Sequence, residues 1–162
     1  MVAALIGLDR AFVAPDGVVL ADTLEGAAVA TLRVLGRPAP DTVSTIGPTV
    51  AQARNRLSGP RSLVRGLFSG GTLCFESQVI LGPVLGEVRS NAPITTAWGL
   101  PAPPGSHQCL DLGEEEYTRG RPHPMIDAEA RLDLLREHGA DPQVAAIILD
   151  VVLGHGANPD PA

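Results

Sequence analysis

The chain has 162 residues, which is long enough for one domain, or for one domain and part of another. Its formal net charge of −6 and its lack of a basic run argue against nucleic acid or an anionic membrane surface as a partner. All 12 basic residues are arginine, which excludes a Walker-type phosphate-binding lysine and a Schiff-base lysine.

The first residues are apolar, but they form too short a run for a signal peptide or a membrane span. Asp9 and Arg10 interrupt the run, and no basic segment precedes it. Cys74 and Cys109 lie far apart and lack metal-ligand or CxxC spacing, which is typical of buried thiols in a reducing compartment. The sequence therefore predicts a cytoplasmic protein with no membrane partner.

Residues 1–37 are predicted to be the end of a preceding α/β domain. Residues 17–22 (GVVLAD) have a strand pattern, and Thr23 is a good N-cap for the helix that follows. One strand and one helix cannot bury their apolar faces alone. Residues 38–60 are rich in Pro, Ser, Thr and Gly, which indicates a linker with one helical turn around 49–57.

Residues 61–162 alternate apolar strands with helices, and this pattern predicts an α/β domain. Because the strands are apolar throughout, we expect a parallel sheet covered on both faces, of the flavodoxin-like type. Asp127 is a good N-cap for the second helix, and Gly139 follows that helix. The predicted elements are strands at 63–68, 87–90, 108–112 and 144–153, and helices at 72–84 and 127–138.

The first of two glycine-rich turns, Ser69-Gly70-Gly71-Thr72, joins the first strand of this domain to its first helix. Glycines let backbone N–H groups approach an anion, and the N-terminus of a helix adds partial positive charge. Open α/β sheets bind ligands at the carboxyl ends of their strands. We therefore predict that these four residues bind a phosphate or carboxylate. The alternative is an ordinary tight turn in which Thr72 caps the helix.

The second turn, Gly154-His155-Gly156-Ala157-Asn158, follows the last strand. It predicts another anion-binding loop, in which His155 is a candidate phosphoryl acceptor, proton shuttle or hydrogen-bond donor. The alternative is an exposed loop histidine. A strand and a glycine turn are expected to lead into a helix that covers the sheet. Since no such helix pattern follows, the domain is expected to be truncated at its C-terminus.

Further candidates lie in the polar loop after the strand at 108–112. Arg119, Arg121 and His123 bring positive and titratable groups together, and arginine binds phosphate or carboxylate bidentately. Residues 114–116 are glutamates, so an internally neutralised surface loop is the alternative.

Two aspartates end apolar strands of the predicted sheet. Asp111 and Asp150 each stand where a carboxylate faces either a ligand or the amide groups of the next loop. Capping of those amides is the favoured interpretation. None of the four histidines has a second ligand at metal-binding spacing, so the sequence predicts no metal site.

Four stretches of residues 61–162 together resemble the FdrA family, which is related to the CoA-ligase domains of succinyl-CoA synthetase. They are RGLFSGGTLCFE, RSNAP, LDLGEEEYTRGRPHPMID and LDVVLGHGANPDPA. The resemblance implies a succinyl-CoA synthetase-like fold that binds phosphate and a carboxylic acid for ATP-dependent formation of an acyl-CoA. It also implies CoA and ATP with Mg²⁺ as cofactors, bound mostly outside this chain by missing domains or other subunits.

The function predicted first is therefore that of an FdrA-like acyl-CoA synthetase domain, with the chain alone inactive. The second hypothesis is a subunit of an oxamate carbamoyltransferase, because carbamoyl phosphate also offers a phosphoanion to a glycine turn. The third is a non-catalytic fragment or interaction domain. The predicted catalytic residues are His155 and His123. The predicted phosphate- or substrate-binding residues are Ser69, Gly70, Gly71, Thr72, Arg121, Gly154, Gly156, Ala157 and Asn158.

Overall fold

The computed structural model describes residues 1–8, 12–40, 47–57 and 59–160. The chain divides into two compact units, Met1–Arg61 and Ser62–Ala162. The elements of the first unit are the short parallel strands β1 (Val2–Ala4) and β2 (Val19–Ala21) and the helices α1 (Leu24–Val34) and α2 (Gly47–Arg56).

The strand and helix predicted for the first unit are confirmed. β2 lies within the predicted segment 17–22, and α1 begins after Thr23, whose Oγ1 accepts a hydrogen bond from the Gly26 amide at 3.0 Å. β1 is not predicted from the sequence. α2 covers most of the helical turn predicted at 49–57.

The described residues of the second unit, 62–160, form four strands and three helices. They are, in chain order, β3 (Leu63–Phe68), α3 (Gly71–Leu85), β4 (Val88–Arg89), a 3-10 turn (Thr96–Trp98), β5 (His107–Asp111), α4 (Glu115–Thr118), α5 (Glu129–Ala140) and β6 (Val144–Leu149). The strands form one parallel sheet in the order β4-β5-β3-β6, which confirms the predicted α/β class. In the flavodoxin order the second strand pairs with the first. Here the two-residue β4 pairs with β5 instead.

Each face of this sheet has its own apolar core, because successive residues of a strand point to opposite faces. Leu67 and Phe68, which are neighbours on β3, belong to different cores. The core under α3 contains Phe68, Cys74, Val88 and Cys109. The core under α5 contains Leu67, Leu110 and Leu112, with Tyr117, Leu134, Leu135 and Ile147 packed against it. Helices therefore cover both faces, as a parallel sheet of apolar strands requires.

Both cysteines are free thiols buried in the core under α3. Burial raises the pKa of Cys74 to about 11 and that of Cys109 to about 12, because desolvation penalises the thiolate. The Sγ atom of Cys74 contacts Ser90 Oγ at 3.7 Å. The two thiols therefore act as small apolar side chains, as the sequence predicts.

The boundaries of the later elements differ from the prediction. β6 ends four residues before residue 153, because its pairing with β3 stops at Leu67. The N-cap of α5 is Ala128 rather than Asp127, although Asp127 Oδ1 accepts a backbone hydrogen bond two residues further on at 2.9 Å. Gly139 lies inside α5 instead of after it. No helix in the described ranges is both long enough and apolar enough to cross a bilayer.

Candidate functional site

The carboxyl ends of β3, β5 and β6 meet at one edge of the sheet, because the three strands are parallel and adjacent. The glycine turns at 69–72 and 154–158 both follow strands at this edge, which we call the carboxyl edge. The amide of Ser69 donates to Asp150 Oδ1 at 2.9 Å, so the ends of β3 and β6 are joined directly. Ligands of open α/β sheets bind at such an edge.

The first turn has open space in front of α3. Gly70 is the N-cap of α3 and has no side-chain cap hydrogen bond, while Gly71 begins the helix. A Cβ atom placed on Gly70 would meet nothing within 4 Å. The first amide groups of α3 therefore have no capping side chain, and they carry the partial positive charge of a helix N-terminus. The alternative in which Thr72 caps the helix is wrong, since Thr72 lies within α3 and is exposed.

Ser69 is buried in a polar network with Asp150 and with Arg131 of α5. Ser69 Oγ donates to Asp150 Oδ1 at 3.0 Å and accepts from Arg131 Nη1 at 3.1 Å. Arg131 Nη1 also donates to the backbone oxygen of Asp150 at 2.8 Å and to its Oδ1 at 3.0 Å. The side chains of Arg131 and Asp150 are each 7% exposed. This buried ion pair holds the ends of β3 and β6 together, and a ligand contact by Ser69 stays a prediction.

Asp111 reaches the start of α3 from the end of β5. It is 4% exposed, and its Oδ1 accepts a hydrogen bond from the Gly113 amide at 2.8 Å. Its Oδ2 accepts no hydrogen bond from the described residues and lies 3.0 Å from the position that a Cβ on Gly71 would take. Burial raises the pKa of Asp111, although the Gly113 amide and His123 oppose that rise. Asp111 therefore caps a loop amide, as predicted, and also faces the helix N-terminus.

His123 approaches Asp111 from the loop after α4. Its Nε2 lies 2.9 Å from the position that a Cβ on Gly113 would take, and Asp111 Oδ1 lies 3.1 Å from that position. His123 Nδ1 accepts a hydrogen bond from the Met125 amide at 3.2 Å, which leaves the proton of the neutral ring on Nε2. A donor and an acceptor thus stand close together at the carboxyl edge. No group of three His, Cys, Asp or Glu residues in the described ranges is arranged to hold a metal ion.

The second turn, at 154–158, lies against the loop that carries His123, because the Asn158 amide donates to the Met125 oxygen at 2.8 Å. Gly156 has a φ of 85°, a left-handed conformation that favours glycine. His155 is exposed and makes no side-chain hydrogen bond or ion pair with the described residues. The structure therefore brings both turns and His123 to one edge, and catalysis by His155 stays a prediction.

The arginines near His123 are exposed. Arg119 pairs with Glu115 Oε1 at 2.7 Å on the surface, where such a pair contributes little to stability. The Arg121 side chain makes no hydrogen bond or ion pair with the described residues. Binding by Arg121 stays a prediction.

Arg131 lies at the carboxyl edge and is not predicted from the sequence. It stands three and four residues before Leu134 and Leu135, which pack against the core. This spacing places Arg131 on the buried face of a helix. A buried arginine requires a hydrogen-bonding or acidic partner, and an aspartate at the end of an apolar strand meets that requirement. The helical spacing of Arg131 from Leu134 and Leu135 therefore indicates a buried, paired arginine.

The model of the CoA-ligase family matches residues 67–162, a stretch that contains both glycine turns and Asp111, His123 and Arg131. The chain is also similar to the uncharacterized protein YahF of Escherichia coli (strain K12), at 41% identity over 116 residues. That similarity covers 70% of this chain and 22% of YahF, so the chain spans less than a quarter of that relative's length. The family match extends over more than half of the sequence, and the chain therefore belongs to the CoA-ligase family.

Proposed function

We propose that this chain supplies the acid- and phosphate-binding domain of an FdrA-type acid–CoA ligase, which uses ATP to form an acyl-CoA. The observation that carries the proposal is the family match over residues 67–162, because it includes the entire carboxyl edge. Ligation of an acid to CoA through an acyl phosphate requires a site for a carboxylate and for a phosphoryl group. Both groups are small oxyanions.

The geometry of the first turn supports binding of such an oxyanion. Gly70 lies beside open space and no side chain caps α3, whereas a Cβ on Gly71 would lie 3.0 Å from Asp111 Oδ2. Backbone amides and the helix dipole together make a helix N-terminus favourable for an anion. The second turn follows a strand at the same edge, where the Ala157 and Asn158 amides donate to the oxygens of Gly154 and Met125, so the amides proposed to bind an anion are those of residues 154–156.

The titratable groups at this edge have separate proposed roles. His123 holds a proton on Nε2 next to Asp111 and donates it, as a hydrogen bond or as a proton, to the bound anion. His155 is exposed on the second turn and contacts a substrate that spans both turns. Arg121 adds positive charge at the rim of the site.

CoA and ATP with Mg²⁺ are proposed to bind mainly to other parts of a longer protein. The chain spans only 22% of YahF, so related sequences have much more chain to hold these molecules. The residues at the carboxyl edge suit a phosphoryl or carboxylate group, because no side chain caps the backbone amides at the N-terminus of α3.

Titration of this chain with inorganic phosphate and with succinate, followed by amide NMR, tests the proposal. The Gly70, Gly71 and Gly156 signals are expected to shift together. Gly70→Val fills the open space and is expected to abolish the shifts with the fold retained. Gly139→Val, at an equally open position in α5, is the matched control and keeps binding. An absence of shifts at both turns would refute the anion site.

Activity assays of a whole protein that carries this domain separate the candidate reactions. Thioester formation that depends on ATP, CoA and a short carboxylic acid supports the ligase. Oxamate-dependent carbamoyl transfer from carbamoyl phosphate supports the carbamoyltransferase instead. Activity that survives both Gly71→Val and Gly156→Val would favour a non-catalytic role for this domain.

A further inference from the structure

We infer that Asn91 is a positioning residue, which holds Asp111 beside His123 at the carboxyl edge. Asn91 is the third residue of the RSNAP stretch, which begins in β4 and continues into the loop after it. The inference rests on the proposed function, because that function assigns proton donation to His123. It adds a residue from a fourth strand end, and that residue acts through Asp111.

The side chain of Asn91 takes the place of a strand beside the end of β5. β4 and β5 pair only as far as Arg89 and Gln108, so the pairing stops before Asp111. Asn91 Nδ2 donates to the backbone oxygen of Asp111 at 2.8 Å, and Asn91 Oδ1 accepts from the Asp111 amide at 2.9 Å. Asp111 is 4% exposed. Because unpaired buried backbone groups cost free energy, loss of Asn91 is expected to displace the end of β5.

Asn91 stands on a segment that is itself fixed to α3. Gln78 of α3 is fully buried, and its Nε2 donates to the Ala92 oxygen at 3.0 Å. Its Oε1 accepts from the Ile94 amide at 3.1 Å. Ser90 is also fully buried, and its Oγ accepts from the Ala92 amide at 3.1 Å. These bonds hold the backbone on both sides of Asn91, so its side chain is a rigid support for Asp111.

The position of Asp111 determines how its carboxylate meets His123. Asp111 Oδ1 accepts from the Gly113 amide at 2.8 Å. This oxygen lies 3.1 Å from the position that a Cβ on Gly113 would take, and His123 Nε2 lies 2.9 Å from the same position. Burial raises the pKa of Asp111, Asp150 adds to the rise, and the Gly113 amide and His123 oppose it. A displaced end of β5 would move the carboxylate relative to His123 and weaken the effect of that cation.

The test is an NMR pH titration of the 162-residue chain without ligand. The Gly113 amide reports ionisation of Asp111, because it donates to that carboxylate. His123→Gln removes the cation and is expected to raise the pKa of Asp111. In an Asn91→Ala background the same substitution is expected to lose most of this effect, because Asp111 is no longer held beside His123. Asp111→Asn abolishes the titration of the Gly113 signal and so verifies the reporter.

Arg65→Met is the control for a loss of stability alone. The Arg65 side chain is 7% exposed and donates to the Ser106 oxygen at 2.7 Å, at the opposite end of β5 from Asp111. In this background His123→Gln is expected to raise the pKa of Asp111 as it does in the wild type. An equal rise in the Asn91→Ala background would overturn the inference, and so would no rise in the wild type. Both results leave the succinate titration as a separate test of the proposed function.

If Asn91→Ala does not fold, hydrogen exchange of the wild type decides. The Nδ2 protons of Asn91 are expected to exchange about fivefold or more slowly than those of Asn55, an exposed residue of α2, because one of them is hydrogen-bonded to Asp111. Slow exchange together with the rise caused by His123→Gln supports the inference. Equal exchange rates of the two side chains would overturn it.

Discussion

Arg131 and Asp150 are opposite charges held almost entirely out of water, where each depends on the other. Their mutual attraction and the hydrogen bonds to Ser69 compensate the loss of hydration. Such a pair is not a large net source of stability compared with an apolar pair of the same shape. Breaking it is costly, however, because one charge then stays buried without a partner.

Arg131→Met is therefore expected to lower the free energy of unfolding by about 3–5 kcal/mol, since it leaves the Asp150 carboxylate buried and unpaired. Urea denaturation followed by circular dichroism measures the loss. Arg136→Met on the same helix is the control, because the Arg136 side chain is 71% exposed in its pair with Asp133. The control is expected to cost about 1 kcal/mol or less. Equal losses in the two variants would contradict a buried ion pair.

Two histidines near the amino ends of the strands make stability depend on pH. Burial lowers the pKa of His107 and of His138, and the Arg65 cation lowers both further. Glu137 and Asp141 oppose the effect at His138 without reversing it. The Nδ1 atom of His107 also accepts the Val64 amide at 3.2 Å, a bond that a protonated nitrogen cannot accept.

Stability is consequently expected to fall as the solution is acidified. The unfolded chain takes up these protons near pH 6.5, above the native pKa values, so the full stability is present above about 6.5 and is lost as pH decreases through the native values. Urea midpoints at about pH 7.5 and about pH 5.5 measure the difference. His138→Gln is expected to reduce it, with His155→Gln at an exposed position as the control. A midpoint that rises on acidification would contradict the assignment.

Among the elements, β3 is enclosed on all sides, because it lies between β5 and β6 and has an apolar core on each face. A Cβ on Gly66 would lie 2.9 Å from Cys109 Sγ and would overlap the ring of Phe68. Gly66→Ala is therefore expected to lower the free energy of unfolding by about 1–3 kcal/mol through overpacking. Thermal denaturation measures the change.

Gly139→Ala, which adds the same methyl group to a helix, is the comparison for Gly66→Ala. It lies in α5, and no side chain or other segment comes within 4 Å of the added carbon, so the substitution is expected to gain about 0.5–1 kcal/mol from helix propensity. The two substitutions add the same methyl group and are expected to act in opposite directions. Destabilisation of similar size by both would show that packing around Gly66 is not the cause.

The elements that the sequence predicts well are those whose pattern is local. The sequence correctly predicts where β3, β5 and β6 begin to within one residue, but β6 ends four residues earlier than predicted. α4 has only four residues in a segment expected to be a loop, and it is missed. The approach of Asp111 to Gly71 depends on which strands pair, and no short segment of sequence contains that information.

For the molecule as a whole, the division of the chain into two units after Arg61 leads to a separate prediction. Residues 62–162 contain the entire four-stranded sheet and both cores, and the amides of Ser62 and Leu63 bond within that unit to the Gln143 oxygen, each at 2.9 Å. A fragment of residues 62–162 is therefore expected to unfold cooperatively, with a melting temperature within about 4–8 °C of that of the whole chain, the shift that 1 kcal/mol causes in a domain of this size.

A fragment of residues 62–140 tests whether that cooperativity depends on the last strand. It lacks β6 and Asp150, so the central strand loses one partner and Arg131 loses its counter-charge. No cooperative transition is expected from it by calorimetry. A sharp transition in the shorter fragment would show that β6 is dispensable for folding.

The two thiols give this molecule a natural reporter for one side of its sheet. Cys74 lies on the buried face of α3 and Cys109 lies on β5 in the same core, so a maleimide reaches both thiols when α3 separates from the sheet or when the unit unfolds. The core under α5 contains no cysteine, so the maleimide does not label that face of the sheet. Labelling rates in native buffer that exceed the global unfolding rate therefore measure how often this one layer opens, without any engineered probe.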